Sequence, residues 1–245
     1  MQSPEVERLF SGLIGEEYDL LKLLCPAAVE SSQKVGAALA TWNPNKPLKV
    51  FEIGCGTGIT TLSLLQSRED ATLTAVDNEP TMLEQARQRL APWLRQGRLD
   101  LVETDALSGL LALPDDSVDV VASGYVTHNF LETYRVRVLK EIFRVLKPGG
   151  AFINGDRYAL DDTLSHTRLT QVEVHHWFKT FGELQRYDLL EQWIIHLFSD
   201  ESPEHIMRLS PSLACLKDIG YNPVEVRSRD GIDTLLVAEK PQYAE

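Results

Sequence analysis

From residue 48 onward, short apolar runs alternate with stretches in which apolar residues recur at helical spacing. The apolar runs predict strands at 48–54, 71–77, 99–105, 117–126 and 151–156. The stretches between them predict helices at 60–67, 80–97 and 134–146. Strands that alternate with helices of this length form right-handed βαβ units. The pattern therefore predicts a parallel sheet with helices on both faces.

The alternation stops on both sides of this segment. On the N-terminal side, one helix is predicted at 4–24 and a second in the stretch that ends at about Trp42. On the C-terminal side, helices are predicted across most of 160–200 and from about Ser202 to Gly220, followed by strands at 222–228 and 233–240. The chain is thus predicted to be one α/β domain with a Rossmann-like sheet of seven mostly parallel strands. Its parts are a helical N-terminal cap (1–45), a core (48–156), a helical insertion after strand 5 (160–200) and a last helix with two strands (203–245).

Composition excludes several classes of protein. The 245 residues carry a net charge of −12, which opposes binding to a phosphate backbone, so no direct nucleic-acid partner is expected. No apolar run approaches the roughly 18 residues of a membrane span, and the first residues lack the pattern of a secretory signal. The three cysteines, Cys25, Cys55 and Cys215, are scattered and suit a reducing compartment. We therefore expect a cytoplasmic protein with no membrane partner; a homodimer is left open.

A glycine-rich turn, "FEIGCGTG" (51–58), follows the first strand. Gly54, Gly56 and Gly58 allow the backbone to approach a ligand closely. Dinucleotide sites space such glycines as G-x-G-x-x-G, whereas the spacing here is G-x-G-x-G. Glu52 would disfavour a pyrophosphate and suits a ligand with an ammonium group. The alternative is a plain strand–turn–helix connection.

The segment "KVFEIGCGTG" resembles motif I of the class I S-adenosyl-L-methionine (SAM)-dependent methyltransferases. Asp77 lies 23 residues after Gly54 at the end of the second strand, and the resemblance implies that it accepts from the ribose hydroxyls, with Asn78 beside it. For Asp105 and Ala106, after the third strand, it implies contacts to adenine. The resemblance covers about 48–156, with the motifs in order. It implies SAM as cofactor and S-adenosyl-L-homocysteine (SAH) as product.

A narrower resemblance links the chain to the carboxy-SAM synthases of tRNA wobble modification. It is carried by "AVDNEPTMLEQARQRL" (75–90) and by "HHWFK" (175–179). In that group an Arg of the final helix holds the added carboxylate. Counting back from Gly220 places Cys215 at that position, and a thiol cannot pair with a carboxylate. Arg208 lies about two turns earlier, so the resemblance implies the fold and the insertion but leaves the carboxylating activity open.

The stretch "ASGYVTHNFLE" (122–132) follows the fourth strand, where open α/β sheets bind their ligands. Ser123 is expected near the cofactor, Tyr125 and His128 are candidate catalytic residues, and Asn129 is a candidate acceptor contact. His128 has three interpretations: proton transfer, lining of the acceptor pocket, or a bond to a helix end or to backbone. A base is needed only if the acceptor must lose a proton as it attacks.

Further candidate acceptor contacts include Asp156, Arg157 and Tyr158 at the end of the fifth strand, with His175 and Tyr187 in the insertion. Arg157 suits a bidentate grip on a carboxylate; its alternative is a surface ion pair with Asp161 or Asp162. A further candidate, Tyr18 with Asp19 in the leading helix, lies where related small-molecule methyltransferases often carry a tyrosine near the sulfonium. No metal site is predicted, because the histidines show neither H-x3-H nor H-E-x-x-H spacing.

The sequence therefore predicts a SAM-dependent methyltransferase that moves a methyl group to a small molecule by in-line displacement. The cap and the insertion are expected to enclose that acceptor. Two alternatives remain: a SAM-derivative synthase of the carboxylating type, and a non-catalytic SAM- or SAH-binding module. The acceptor, its nucleophilic atom and the oligomeric state are left open.

Overall fold

The computed structural model describes residues 26–43 and 45–242, and these form a seven-stranded sheet with the order β3-β2-β1-β4-β5-β7-β6. The strands are β1 (Lys49–Ile53), β2 (Thr72–Asp77), β3 (Leu99–Glu103), β4 (Val118–Gly124), β5 (Leu146–Arg157), β6 (Val224–Asp230) and β7 (Asp233–Glu239). β7 runs antiparallel to both β5 and β6, and the other neighbours are parallel. The predicted fold class is confirmed. The leading helix predicted at 4–24, with Tyr18 and Asp19, lies outside the described residues.

Helices cover both faces of the sheet. They are α1 (Pro26–Thr41), α2 (Ile59–Ser67), α3 (Pro80–Arg89), α4 (Ala91–Arg95), α5 (Ala106–Leu111), α6 (Glu132–Val145), α7 (Thr163–Leu184), α8 (Tyr187–Asp200) and α9 (Leu209–Ile219). Because side chains alternate along a strand, Val50 of β1 packs in the core cluster with α1, α2 and α3, while its neighbour Phe51 packs with α5, α6 and α9. None of the described helices is both long and apolar enough to cross a membrane.

Two predicted helix boundaries were wrong for local reasons. The helix predicted at 80–97 ends at Arg89, and a separate short helix starts with Pro92 in its first turn, where a missing N–H costs nothing. The last helix starts at Leu209 rather than near Ser202, because the backbone of 207–209 is bonded to Ala159: Ala159 donates to Met207 and Leu209 donates to Ala159.

The "LKPGG" segment (146–150) lies between the predicted helix 134–146 and the predicted strand 151–156, and in the structure it forms the first part of β5. The pairing of β5 with β4 shifts register between Val118 and Val120. Gly149 has a φ of 74°, and this local irregularity lets the glycine pair continue the strand as a bulge.

The two helices of the insertion, α7 and α8, form a third apolar cluster. Trp177 and Phe181 of α7 pack against Leu189 and Trp193 of α8, together with Ala28 of α1. The Trp177 and Trp193 rings meet edge to face, with centroids 6.2 Å apart. This packing holds the insertion near the carboxyl ends of the strands, so that α8 lies beside the 3₁₀ turn (Thr127–Asn129) that follows β4.

Candidate functional site

The glycine turn after β1 opens onto the edge where the strand order reverses between β1 and β4, the usual ligand crevice of such sheets. Gly54 and Gly56 have φ values of 64° and 52°, which L side chains rarely adopt. A Cβ at Gly54 would lie 2.4 Å from Val126 Cγ1, whereas one at Gly56 would meet only Met82 Sδ, at 3.8 Å. The turn therefore needs glycine for its shape and leaves the backbone of Gly56 open to a ligand.

Glu52 lies fully buried at the base of this turn, with an exposure of 0%. Neither carboxylate oxygen has a hydrogen-bond partner among the described residues. Burial raises the pKa of Glu52 to about 8. The nearby Thr61 hydroxyl opposes this rise, although its contact with the carboxyl group lacks hydrogen-bond geometry, and the Asp77 carboxylate adds a smaller increase. The Ser123 hydroxyl is likewise buried without a partner in the described chain. Unpartnered buried acceptors are costly, and a ligand ammonium would satisfy them, so the residues present fit the amino-acid end of SAM.

Asp77 joins the glycine turn to the loop after β2. One carboxylate oxygen accepts from the backbone N–H of Gly56 at 2.7 Å, and the other accepts from that of Glu79 at 2.9 Å. Burial is the main reason that the pKa of Asp77 is raised. Asn78 follows, half-buried. Asp77 thus shapes the turn, and its predicted contact to ribose stays a prediction.

Replacing Asp77 with alanine is expected to weaken SAM binding by on the order of 1–3 kcal/mol, because a hydrogen-bonded carboxylate is lost. Isothermal titration calorimetry with SAM measures this change. Asp77→Asn keeps one acceptor for Gly56 and serves as the matched variant. Unchanged affinity in Asp77→Ala would remove Asp77 from the cofactor site.

Asp105 caps the helix α5. Its carboxylate accepts from the Ser108 N–H at 3.0 Å and from the Tyr134 hydroxyl at 2.8 Å. Burial would raise the pKa of Asp105, but these bonds outweigh it and lower the pKa. Ala106 is the first residue of that helix and is buried. The cap was not foreseen from the sequence, and the predicted adenine contacts stay predictions.

His128 forms a close pair with Asp156 at the carboxyl ends of β4 and β5. Its Nδ1 lies 2.5 Å from the carboxylate of Asp156. Asp156 also accepts from the N–H and the hydroxyl of Thr127, both at 2.7 Å, and from the N–H of Arg157. Burial would raise the pKa of Asp156, but His128 and these donors lower it. Asp156 is therefore an ionised carboxylate that orients the imidazole.

The second ring nitrogen of His128, Nε2, faces α8. It lies 3.9 Å from the carboxylate of Asp200, and Nε2 of His196 lies 3.6 Å from the same oxygen. Burial lowers the pKa of His196. Tyr125 packs edge-on against His128 with the ring centroids 5.6 Å apart, and its hydroxyl donates to Asp233. The predicted catalytic pair, His128 and Tyr125, thus lies together beneath the insertion.

Arg157 is held by carboxylates of the insertion. Its guanidinium lies 3.2 Å from Glu173, 3.6 Å from Glu201 and 3.8 Å from Asp200. Burial would lower the pKa of Arg157, but these carboxylates outweigh it and raise the pKa. The alternative prediction, a surface ion pair between Arg157 and Asp161 or Asp162, was wrong. Arg157 pairs with the carboxylates named above, while Asp161 and Asp162 accept hydrogen bonds from Ser210 and Ser165.

The other predicted acceptor contacts are distributed differently. Asn129 lies beside His128, and its Oδ1 is buried without a partner in the described residues. Tyr158 is buried in the core, with its hydroxyl accepting from Asn154. His175 and Tyr187 are exposed on the insertion. The structure therefore brings Asn129 to the site, buries Tyr158 in the core and leaves His175 and Tyr187 exposed on the insertion.

Arg208 and Cys215 line a small cavity of about 70 Å³ together with Arg135. Arg208 donates to the backbone carbonyl of Leu160, so part of its guanidinium is committed to the backbone. Cys215 is half-buried, and burial raises the pKa of its thiol. Arg208 thus has a structural partner in the backbone of Leu160. Its possible replacement of the carboxylate-binding Arg of the final helix stays a prediction.

Two residues of the site were missed from the sequence: His196 and Asp200. The stretch "HLFSD" (196–200) places them four residues apart, on one face of a helix. This His-x3-Asp spacing differs from the H-x3-H and H-E-x-x-H spacings whose absence predicted no metal site. Nothing in the local pattern shows that this face meets His128.

Comparisons with known proteins define the class of the core. Residues 51–154 match the family model described as a methyltransferase domain. Over 97% of this chain and 63% of the other, the fold matches an O-methyltransferase family protein from Burkholderia thailandensis, with a TM-score of 0.65 and 17% identity. The predicted resemblance is confirmed: the fold is that of the class I SAM-dependent methyltransferases, and residues 51–154 match a methyltransferase domain.

The proteins that resemble this chain in sequence belong to a narrower group. A carboxy-S-adenosyl-L-methionine synthase of Photobacterium profundum is 26% identical over 188 residues, which is 73% of this chain and 70% of that protein. One from Yersinia pestis (strain Pestoides F) is 30% identical over 170 residues, 66% of this chain and 60% of that protein. The chain is similar to these synthases, as the narrower resemblance predicted.

Proposed function

We propose that the protein transfers the methyl group of SAM to a small-molecule acceptor held beneath the insertion. The proposed binding of SAM rests on one observation: Glu52, at the base of the glycine turn, is a buried carboxylate whose two oxygens have no hydrogen-bond partner among the described residues. SAM supplies a methyl group on a sulfonium, already activated for displacement. The protein's contribution is to hold the donor and the acceptor in line and to exclude water.

The proposed activation of the acceptor rests on His128 and Asp156. The buried carboxylate holds Nδ1 of His128, which directs Nε2 toward the space below α8. In this orientation Nε2 can receive a proton from an attacking hydroxyl or amine, as in other carboxylate–histidine pairs. The helices α7 and α8 cover this edge and favour a compact metabolite over a polymer. The cytoplasmic location expected from composition is part of this proposal.

Two measurements test the proposal in sequence. A thermal shift with SAM and SAH should raise the melting temperature, and NADH should not. SAH release is then followed with a panel of phenols, carboxylic acids and amines as acceptors. Turnover on one class supports the proposal. Tight SAM binding with no turnover on any class would instead favour a non-catalytic binding module.

The second candidate function is synthesis of a carboxylated SAM derivative. The observation that favours it is the 26–30% identity to the synthases. Against it stands Cys215, at the position where the resemblance implies an Arg. Mass spectrometry of ligand co-purified with the protein separates the two functions, because the derivative is heavier than SAM by one CO2. Finding that mass would replace methyl transfer with carboxylation.

A further inference from the structure

Three potential metal ligands converge where α8 crosses the end of β4. Nε2 of His128, Nε2 of His196 and one carboxylate oxygen of Asp200 all lie within 4.8 Å of one another. The carboxylate oxygen is 3.9 Å from the first nitrogen and 3.6 Å from the second. Each of the three residues is only 7% exposed. This triangle of two imidazoles and one carboxylate forms no part of the pattern by which SAM is held.

We propose that His128, His196 and Asp200 bind one divalent transition-metal cation, with Zn²⁺ as the best match. Zn–N and Zn–O bonds of about 2.0–2.2 Å place tetrahedral ligand atoms about 3.4 Å apart. The two edges at Asp200, 3.9 and 3.6 Å, exceed this separation by a few tenths of an ångström, and the edge between the two imidazoles lies within 4.8 Å. Two imidazoles favour Zn²⁺, Co²⁺ or Fe²⁺ over Mg²⁺, Ca²⁺ and Mn²⁺, which prefer oxygen. Three protein ligands leave a position open for a further oxygen.

The surroundings orient the ligands as metal sites require. Asp156 binds the remote nitrogen of His128, the carboxylate–histidine–metal arrangement that fixes the tautomer and raises ligand basicity. The ring of His196 packs edge-on against Trp193, with centroids 5.6 Å apart. His196 and Asp200 are four residues apart on α8, so the helix presents both to the same point. The site is therefore supported by β4, β5 and α8 together.

An independent observation is the state of Asp200. The oxygen that faces the imidazoles is Oδ2; the other, Oδ1, is buried and has no hydrogen-bond partner within the described part of the chain. A buried carboxylate with an unsatisfied oxygen is costly. Arg157 is the cation that faces it, at 3.8 Å, but that guanidinium lies nearer to Glu173 and Glu201. A cation bound in the triangle would neutralise Asp200 directly.

The charges around the triangle also favour a cation. Asp200 is itself one of the ligands, and Asp156 binds one of the two imidazoles. Glu173 and Glu201 lie nearby against Arg157, which offsets part of this negative charge. Buried carboxylates this close make a cation in the triangle electrostatically favourable.

The role of this cation rests on the proposed function. An acceptor hydroxyl would give its proton to bulk water and bind through oxygen at the open position. A lone pair of that oxygen then forms the new O–CH3 bond. The S–CH3 bond breaks with its electron pair staying on sulfur, so a methyl ether and SAH result. With its Nε2 bound to the metal, His128 cannot also accept the proton, so the metal takes over the role of base that the proposed function gives to this nitrogen. The inference thus names the acceptor class: an oxygen nucleophile such as a phenol or an enol, activated by the metal.

The binding test uses purified, tag-free protein stripped with EDTA and desalted. Titration with Zn²⁺ against a chromogenic chelator gives the stoichiometry and Kd, and Co²⁺ provides a visible spectrum of the coordination. We expect one Zn²⁺ per chain and a four-coordinate Co²⁺ spectrum. His196→Ala and Asp200→Asn should each weaken Zn²⁺ binding at least tenfold. The control is His176→Ala, an exposed histidine of α7 outside the triangle, which should leave the Kd unchanged.

Two results would overturn the site. One is the absence of stoichiometric Zn²⁺ or Co²⁺ binding by wild-type protein that is folded by circular dichroism. The other is binding that His176→Ala weakens as much as the ligand variants do. The Co²⁺ spectrum is recorded on the wild-type protein, so it tests the metal site even if a ligand variant fails to fold.

The role is tested apart from binding. SAM affinity of the metal-free protein should equal that of the Zn²⁺ form, whereas SAH release with the identified acceptor should fall at least tenfold and return with added Zn²⁺. Full turnover in metal-free protein would overturn the role. Failure of SAM to bind at all would overturn the proposed function and leave the metal titration intact.

Discussion

His128→Ala is expected to lower the turnover of methyl transfer by about 100-fold to 10,000-fold, with SAM affinity changed by less than about twofold. The reason is that Nε2 of His128 lies at the acceptor side of the site, held by the bond from Nδ1 to Asp156. The side chain that is lost contacts the acceptor or the ion that holds it. SAH release gives the turnover, and calorimetry with SAM gives the affinity.

Asp156→Asn tests how His128 is positioned. The amide keeps the shape of the carboxylate but removes the charge that holds the imidazole. We expect turnover to fall with KM little changed, and the dependence of turnover on pH to shift. A merely structural role would lower the melting temperature without moving the pH profile.

The exposed His176→Ala is again the control for both variants. An unaltered rate in His128→Ala would remove His128 from the mechanism.

Glu52→Gln is expected to weaken SAM binding by about 100-fold or more, because a buried charged hydrogen bond is lost. The raised pKa of about 8 adds a second signature. Below this pH the apo protein holds Glu52 protonated, and an incoming ammonium favours the ionised form. SAM binding at pH 7 should therefore release close to one proton. Calorimetry in buffers of different ionisation enthalpy measures that release, which the Gln variant should lack.

The same shift predicts how the stability of the apo protein depends on pH. The pKa of Glu52 is about 8 in the folded state and near 4.5 in the unfolded state. The folded state therefore binds the extra proton between these values, and its stability falls as pH rises through this window. Glu52→Gln removes that loss, so at pH 8.5 the variant should be more stable than wild type by on the order of 3–5 kcal/mol.

Urea unfolding at pH 5 and pH 8.5 measures this difference. Glu103→Gln is the matched control, because Glu103 is exposed at the end of β3. A difference between Glu52→Gln and wild type that stays constant from pH 5 to pH 8.5 would contradict the assignment of a protonated Glu52.

Much of the fold followed from local patterns. The seven strands were each predicted near their observed positions, since apolar runs and turn residues encode strands within windows of about ten residues. The helix from Ser202 was misplaced because its start depends on backbone bonds to Ala159, a partner far away in the chain. The cap of α5 was missed for a similar reason, since Asp105 was interpreted only through its resemblance.

The sequence by itself determined the sheet and the glycine turn with Glu52, and it predicted the class of cofactor that we propose for that turn. Those features depend on residues close together in the chain, where spacing and backbone preference carry the information. Only the tertiary structure decided the partners of the polar side chains: Asp156 for His128, Glu173 for Arg157, and the meeting of His196 and Asp200 with His128. These contacts depend on how α8 packs over the sheet edge through apolar side chains, and helical periodicity does not specify where an apolar face will dock.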